Sequence, residues 1–302
     1  MASHSRDWRS IFGLRGASRL AFEEVEPKQV VSTALHDTRG RSLVARTRFR
    51  GDARSTVQRV LELLAGDQPL LSWKDSPLVV PRFSPEQPPW STSPDFLAAL
   101  VHALRSQGAG SVRVLDARTA ASQQPADLWE TCERAGCEVI DASKGDWVRV
   151  RLPGGAVTVP RVAYESDRLV LLPSPLASTV TRFSMALALA GQLVHPRDRG
   201  GHARARHEEH LVELNLAVRP WLCVLDARKA VIDAELGTVR EPGYVFASGD
   251  PVALDVAAIK LLKGYPAKNH LDLPAWTFPQ ITAAIRLGLG AGREDSTRLV
   301  EG

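Results

Sequence analysis

Short runs of apolar residues alternate along this chain with longer segments in which apolar positions recur at helical spacing. Segments that begin at residues 94 and 126 have the periodicity of helices. Strands that alternate with helices predict an α/β fold with a mostly parallel sheet and flanking helices. The short, largely apolar runs typical of buried strands are residues 112–115, 137–140, 169–172 and 222–225.

Signals for a helix start and a helix end flank the first of these helical segments. Ser93 is a favourable N-cap, Pro94 suits the first helical position and Asp95 suits the first turn. Gly108 follows the last apolar position, where glycine commonly ends a helix. We therefore predict a helix that begins at Pro94 and ends before Gly108.

The first part of the chain differs from the rest in charge. Residues 1–28 are predicted to form a basic N-terminal tail or arm, and residues 29–302 a single α/β domain. No apolar run follows the basic residues as it would in a signal peptide. We find no internal repeat. The basic residues of the arm are Arg6, Arg9, Arg15 and Arg19.

The overall composition is that of a globular protein and excludes a collagen, a coiled coil and a wholly disordered chain. The 38 basic and 34 acidic residues give a net charge of only +4, so nucleic acid is not the expected partner. The longest apolar run, residues 183–194, is shorter than the roughly 20 residues of a membrane-spanning helix. We expect a cytoplasmic protein without a membrane-spanning segment.

Three cysteines, Cys132, Cys137 and Cys223, lack the spacing of a thiolate metal site. Glycine-rich dinucleotide and P-loop motifs do not occur in the sequence. We therefore expect neither an iron–sulfur cluster nor a dinucleotide, and the sequence leaves any other cofactor open.

Aspartates follow three of the predicted strands. Asp116, Asp141 and Asp226 each stand where a strand ends, and ligands of α/β sheets bind beyond the carboxyl ends of the strands. Carboxylates that face one crevice could hold a divalent cation or act as acid and base. The alternative is that each aspartate caps the turn that follows it.

The segment 247–255 carries the most information in the chain. Asp250 is placed as an N-cap before Pro251, and Gly249 permits a tight turn ahead of it. Asp255 lies on the apolar face of the helix that follows. A buried carboxylate requires hydrogen bonds or a charged partner, so Asp255 is either a functional group or a structural tie to a neighbouring loop.

A cluster of histidines offers a weaker metal-site hypothesis. His207 and His210 are three residues apart, as two ligands on one helix face would be. The surrounding residues are highly polar, however, and a solvated loop that runs into a helix is the preferred interpretation.

Several of these segments occur in the order found in the family catalogued as domain of unknown function 362. Residues 249–255 are similar to its GTDPVAVD motif, and residues 167–173 resemble its buried "aDvvInvPk" strand. Residues 218–226 resemble its "vRPdl…vvDa" stretch, and residues 287–290 its closing GLG. The chain resembles this family over about residues 55 to 302.

The resemblance also identifies positions where this chain departs from the family pattern. Where relatives usually carry Lys-Pro-Asn, this chain has Pro81, Arg82 and Phe83. Polar family positions correspond here to Leu176, Ala177, Ser178, Ser184, Ala188 and Leu189. The resemblance implies that contacts to phosphate, metal or substrate are lost, with Arg82 a candidate replacement for the lysine. The clustered cysteines of the ferredoxin-like module that some relatives carry do not occur in this sequence, so we do not expect an iron–sulfur role.

We therefore expect a divergent, catalytically weakened member of that family that binds a small anionic ligand or a protein partner. The alternative is an active enzyme that uses a divalent metal or acts on an anionic small molecule. Catalytic residues and the oligomeric state remain unknown at this point. The candidate crevice residues are Arg82, Asp116, Asp226, Gly249, Asp250 and Asp255.

Overall fold

A computed structural model describes residues 22–28, 35–84, 86, 88–118, 126–199 and 207–302. Its strands are, in chain order, β1 (Glu23–Val25), β2 (Ser42–Arg48), β3 (Leu78–Pro81), β4 (Arg113–Asp116), β5 (Glu138–Asp141), β6 (Trp147–Leu152), β7 (Gly155–Pro160), β8 (Leu169–Leu172), β9 (Leu176–Ser178), β10 (Arg182–Ser184), β11 (Leu222–Ala227), β12 (Ala230–Val231), β13 (Val239–Arg240), β14 (Tyr244–Ser248) and β15 (Thr297–Glu301). Its helices are α1 (Ala53–Ala65), α2 (Pro94–Ser106), α3 (Ala126–Ala135), α4 (Arg161–Glu165), α5 (Ala186–Leu189), α6 (His207–Val218), α7 (Pro251–Lys263) and α8 (Pro279–Arg286).

Eight of the described strands form the main sheet, in the order β15-β2-β14-β11-β8-β3-β4-β5. Neighbouring strands are parallel except at β14, which runs antiparallel to both β2 and β11. The mostly parallel α/β fold predicted from the alternation of strands and helices is thus confirmed.

Helices cover both faces of this sheet, which explains why its central strands are continuously apolar. In β3, Leu78 and Val80 face a core that includes residues of α5 to α8, whereas Val79 faces the core under α1 and α2. All four residues of β3 are buried. The apolar runs in the sequence therefore reflect burial on two sides rather than an amphipathic strand.

Two smaller sheets complete the described architecture. One has the order β10-β9-β12-β13. Along the chain, β9 follows β8 and β12 follows β11. The strands β9 and β12 pair in parallel. This sheet continues from the carboxyl ends of β8 and β11. We refer to the ends of β3, β4, β8 and β11 as the carboxyl edge. The other sheet has the order β1-β6-β7.

The last part of the predicted N-terminal arm belongs to the fold. Glu23–Val25 form β1, which pairs in parallel with β6. The Arg151 guanidinium donates a hydrogen bond to the Glu24 carboxylate at 2.9 Å. This part of the predicted tail or arm over residues 1–28 is therefore attached to the fold by strand pairing, while the first 21 residues lie outside the described structure.

The helix predicted at Pro94 is present, with Ser93 in the N-cap position. The Ser93 hydroxyl does not cap the helix, because it accepts a hydrogen bond from the Arg228 guanidinium at 2.6 Å. Gly108 follows the helix end with a φ of +106°, a conformation that favours glycine.

The longest apolar run does not form a single element. Residues 183–194 are divided between β10, α5 and a following turn of 3₁₀ helix. None of the described helices combines the length and the apolar character that crossing a membrane requires.

Candidate functional site

Asp250 joins the start of α7 to the C-terminal loop. As predicted, its carboxylate caps the helix by accepting a hydrogen bond from the backbone N–H of Ala253 at 2.9 Å. The same carboxylate accepts a second hydrogen bond from the N–H of Ala291 at 2.7 Å. A Cβ atom at Gly290 would lie 2.0 Å from Asp250 Oδ1, so only glycine fits against the cap. Gly249 lies in the turn between β14 and α7.

Asp255 is completely buried and binds backbone. Its two oxygens accept hydrogen bonds from the N–H groups of Ala186 at 2.8 Å and Leu187 at 3.0 Å, at the start of α5. Burial raises the pKa of Asp255 to about 7, against the lowering effects of these two donors and of Arg82. Of the two roles considered for Asp255, the contacts are those of the structural tie.

Arg82 lies after β3 and is 7% exposed. Its guanidinium donates hydrogen bonds to the hydroxyl and the carbonyl of Ser184, at 3.3 and 3.2 Å. It also reaches the carbonyl of Met185 at 3.5 Å. Burial lowers the pKa of Arg82 to about 10, and the charge of Asp255 opposes this shift. The buried guanidinium therefore binds the same backbone segment as Asp255.

Two further buried side chains bind this segment. The amide of Gln280 donates hydrogen bonds to the carbonyls of Thr181 and Phe183, at 2.6 and 3.0 Å. The amide of Asn215 donates to the carbonyl of Leu187 at 2.8 Å. Side chains from three helices and from the loop after β3 thus hold residues 181–187, which we call the clamped segment. Sequence analysis missed the roles of Gln280 and Asn215. The available signal was that each is a polar residue on the apolar face of a helix.

The pentapeptide Val-Leu-Asp-Ala-Arg occurs twice, at the ends of β4 and β11. In the first copy the Asp116 carboxylate accepts hydrogen bonds from Nε and Nη2 of Arg118, at 2.8 and 2.6 Å. In the second copy Asp226 accepts from Nε and Nη2 of Arg228, at 2.9 and 2.8 Å. This recurrence of five residues is visible in the sequence, although the sequence analysis did not use it.

Aromatic rings support both guanidinium groups. Arg118 lies over the ring of Phe83 with its guanidinium carbon 4.9 Å from the centroid, and Arg228 lies over Phe96 at 5.1 Å. Arg228 also donates a hydrogen bond to the carboxylate of Asp95 at 2.6 Å. Burial lowers the pKa of Arg228, but the hydrogen bonds to its two carboxylates outweigh that effect and raise it.

The strand-end aspartates do not form a shared cluster. The strands that carry Asp116 and Asp226 are separated in the sheet by β3 and β8, and each carboxylate pairs with its own arginine. Asp141 accepts hydrogen bonds from the N–H and hydroxyl of Ser143, at 2.9 and 2.6 Å, so it caps its own turn. Within the described ranges, no three His, Cys, Asp or Glu side chains are grouped as metal ligands would be.

The family model described as Domain of unknown function (DUF362) matches residues 78–260. This range begins with β3, ends within α7 and includes more than half of the chain. The chain belongs to this family. Both copies of the pentapeptide and the residues of the clamped segment lie inside the DUF362 range.

Comparison with solved structures finds distant likenesses to this DUF362 protein. A protein from Thermotoga maritima has a TM-score of 0.40 and 11% identity, over 70% of this chain and 58% of that chain. The lactate racemase apoprotein from Thermoanaerobacterium thermosaccharolyticum has a TM-score of 0.37 and 11% identity, over 78% and 58%. The DUF362 chain therefore spans less than two thirds of either protein. No curated protein matches it.

Positions expected to have lost polar family residues are mostly buried in this DUF362 member. Leu176 and Ala177 in β9 are buried, as are Ala188 and Leu189 in and around α5. Their side chains offer no hydrogen-bonding group to a ligand. That relatives carry polar residues at these positions remains a prediction.

The histidine pair is only partly described. His210 is 8% exposed, and its Nδ1 lies 3.5 Å from an oxygen of Glu213. Glu213 also accepts a hydrogen bond from the backbone N–H of Gly154 at 2.9 Å. The side chain of His207 lies outside the described part of the structure, so the predicted pairing of the two histidines remains a prediction.

Proposed function

We propose that this DUF362 protein is a catalytically weakened member that binds a small anionic ligand at the carboxyl edge. The observation that carries the proposal is the contact of Asp255 with two backbone N–H groups. A general base or metal ligand must direct a lone pair toward the substrate or the metal. Asp255 is completely buried and holds the clamped segment, so it stabilises the fold instead.

The arginines of the two pentapeptides favour an anionic ligand. Each guanidinium is oriented by an aspartate at the strand end and by a phenylalanine ring, which lowers the entropic cost of binding an anion. The side chain of Asp95, by contrast, is 59% exposed, and ion pairs of exposed groups contribute little to stability. A carboxylate or phosphate of a ligand could replace Asp95 at Arg228.

Titration with oxalate, followed by native mass spectrometry and calorimetry, tests this proposal. We expect Asp95→Asn to bind oxalate several-fold more tightly than the wild type, because Arg228 loses its competing carboxylate. Arg228→Gln should bind it about tenfold more weakly. Arg240→Gln is the matched control, since Arg240 is exposed and donates only to the carbonyl of Val239 among the described contacts. Equal affinities of all four proteins would overturn the proposal.

The alternative function, an active enzyme, has one observation in its favour. A carboxyl group with a pKa of about 7, as in Asp255, is suited to proton transfer near neutral pH. Its complete burial opposes this role. The alternative would be established by a stoichiometric divalent metal on the purified protein that Asp116→Asn or Asp226→Asn removes. It would equally be established by a turnover that Asp255→Asn abolishes while the variant remains folded.

A further inference from the structure

An open groove of about 890 Å³ runs over α1, α2 and α3. Four basic side chains line it: Arg54 from α1, His102 and Arg105 from α2, and Arg134 from α3. Thr131 of α3 lines it as well. We call this the arginine groove. Its volume is in the range of small-molecule sites, which occupy roughly 300–1,000 Å³.

Three arginines and two carboxylates line the groove, so its basic charge is in excess. In the described part of the chain, Arg54 and Arg105 form no ion pair with a carboxylate. Arg105 instead donates hydrogen bonds to the carbonyls of Ala135 and Gly136, at 2.6 and 2.5 Å, and these carry no net charge. Arg134 lies 3.9 Å from a carboxylate oxygen of Glu130, but both side chains are more than 60% exposed. Such a pair contributes little.

Two acidic residues also line the groove, and both have other partners. Asp52 accepts hydrogen bonds from the backbone N–H groups of Arg54 at 3.2 Å and Ser55 at 2.9 Å as the N-cap of α1. Asp95 binds Arg228 at 2.6 Å. Neither carboxylate therefore forms an ion pair with the groove arginines.

One further group of the groove is suited to bind an oxyanion. His102 contacts Arg54, and burial together with the charges of Arg54 and Arg105 lowers the pKa of His102. It is therefore neutral near pH 7 and keeps an N–H donor.

We propose that the arginine groove, which adjoins the carboxyl edge at Asp95, is a second ligand site that binds a small molecule carrying phosphate groups. Guanidinium groups bind phosphate oxygens in a planar, bidentate geometry. The three arginines come from α1, α2 and α3, so the groove offers charge on more than one wall. A diphosphate, with two charged groups, can contact more of these side chains than a single phosphate can.

Calorimetric titration with pyrophosphate at constant ionic strength tests the site. We expect saturable binding that is about tenfold weaker in Arg54→Gln and in Arg134→Gln, since each loses a charged hydrogen-bond donor. Arg54→Lys should bind with intermediate affinity, because it keeps the charge but not the planar fork. Arg240→Gln and Arg118→Gln should bind pyrophosphate like the wild type. Arg118 belongs to the carboxyl edge and does not line the groove, so a loss of binding in Arg54→Gln but not in Arg118→Gln places the site in the groove.

Two outcomes would overturn this inference. One is the absence of saturable pyrophosphate binding at millimolar concentration, and the other is equal weakening by Arg240→Gln, which would indicate non-specific attraction. Circular dichroism of each variant verifies that it is folded. A parallel titration with ADP identifies the ligand class: tighter binding than pyrophosphate indicates a nucleotide, and equal affinity indicates that the diphosphate alone is recognised.

Discussion

Asp255 is a carboxylate with no exposure to solvent, and the physical cost of its position explains its contacts. Transfer of a charged group from water to a protein interior is unfavourable unless hydrogen bonds and opposite charge compensate for it. The N–H groups of Ala186 and Leu187 provide the hydrogen bonds, and Arg82 provides the charge. Removal of this one carboxylate therefore affects the start of α5 directly.

We expect Asp255→Asn to lower the free energy of unfolding by about 2–3 kcal/mol, because an amide NH₂ group would face a backbone N–H that it cannot accept from. Urea denaturation followed by circular dichroism measures the change. Asp272→Asn is the matched control, since Asp272 is exposed, and its effect should be within about 0.5 kcal/mol. Equal stability of both variants would contradict the structural role.

The raised pKa of Asp255 predicts a pH dependence of stability. The pKa is about 7 in the folded protein and 3.8 in the unfolded chain, so between these values the folded state holds more protons. The contribution of Asp255 is therefore complete below pH 3.8 and is lost as the pH rises through 7. The stability advantage of the wild type over Asp255→Asn should therefore shrink steadily from pH 4 to 7. An advantage that grows with pH would show that the carboxylate is ionised throughout.

At the scale of elements, sequence patterns predicted where strands and helices lie, but they did not predict which side chains from different elements contact one another. The apolar runs located β4, β5, β8 and β11 to within about two residues, because burial in a parallel sheet leaves a clear local pattern. The clamped segment has no such pattern. Its four binding side chains, Arg82, Asn215, Asp255 and Gln280, are far apart in sequence and meet only in the folded protein.

The same limit applies to the strand-end aspartates. The sequence predicted correctly that Asp116 and Asp226 lie at the ends of two strands, although β3 and β8 separate these strands in the sheet. It could not show that each would pair with the arginine two positions later, because that contact depends on the conformation of the turn after the strand. An arginine two residues after a strand-end aspartate, found twice, was the local signal.

The contact between the C-terminal loop and the start of α7 can be tested at Gly290. A Cβ atom at this position would lie 2.0 Å from Asp250 Oδ1 and 2.9 Å from Cβ of Val252. Gly290→Ala should therefore displace the loop from the α7 cap and destabilise the protein by about 1–3 kcal/mol. Thermal unfolding measures the loss. Gly292→Ala is the control, since its nearest contact would be an ordinary 3.6 Å to Ile285, and an equal loss in both variants would exclude the steric explanation.

At the scale of the whole molecule, one hydrophobic core connects the main sheet with the small sheet that contains β1, β6 and β7. The large core includes β6 and β7 of the small N-terminal sheet as well as α5 to α8 of the main layer, so the two sheets share buried side chains. Sequence analysis did not predict that β1 belongs to this small sheet. The strand is only three residues long and has acidic residues at two positions. A short polar strand has no periodicity to detect, and only its pairing with β6 identifies it.

This pairing predicts that residues 22–26 stabilise the whole molecule. A chain that begins at residue 27 lacks β1, so the backbone of β6 loses its parallel partner and Arg151 loses the carboxylates of Glu24 and Glu26. We expect it to melt about 2–4 °C below a chain that begins at residue 22, which corresponds to roughly 1 kcal/mol for a protein of this size. The double variant Glu24→Gln/Glu26→Gln removes only exposed ion pairs and should melt within about 1 °C of its parent. If both shortened chains melt at the same temperature, β1 contributes no stability and the N-terminal residues are an arm after all.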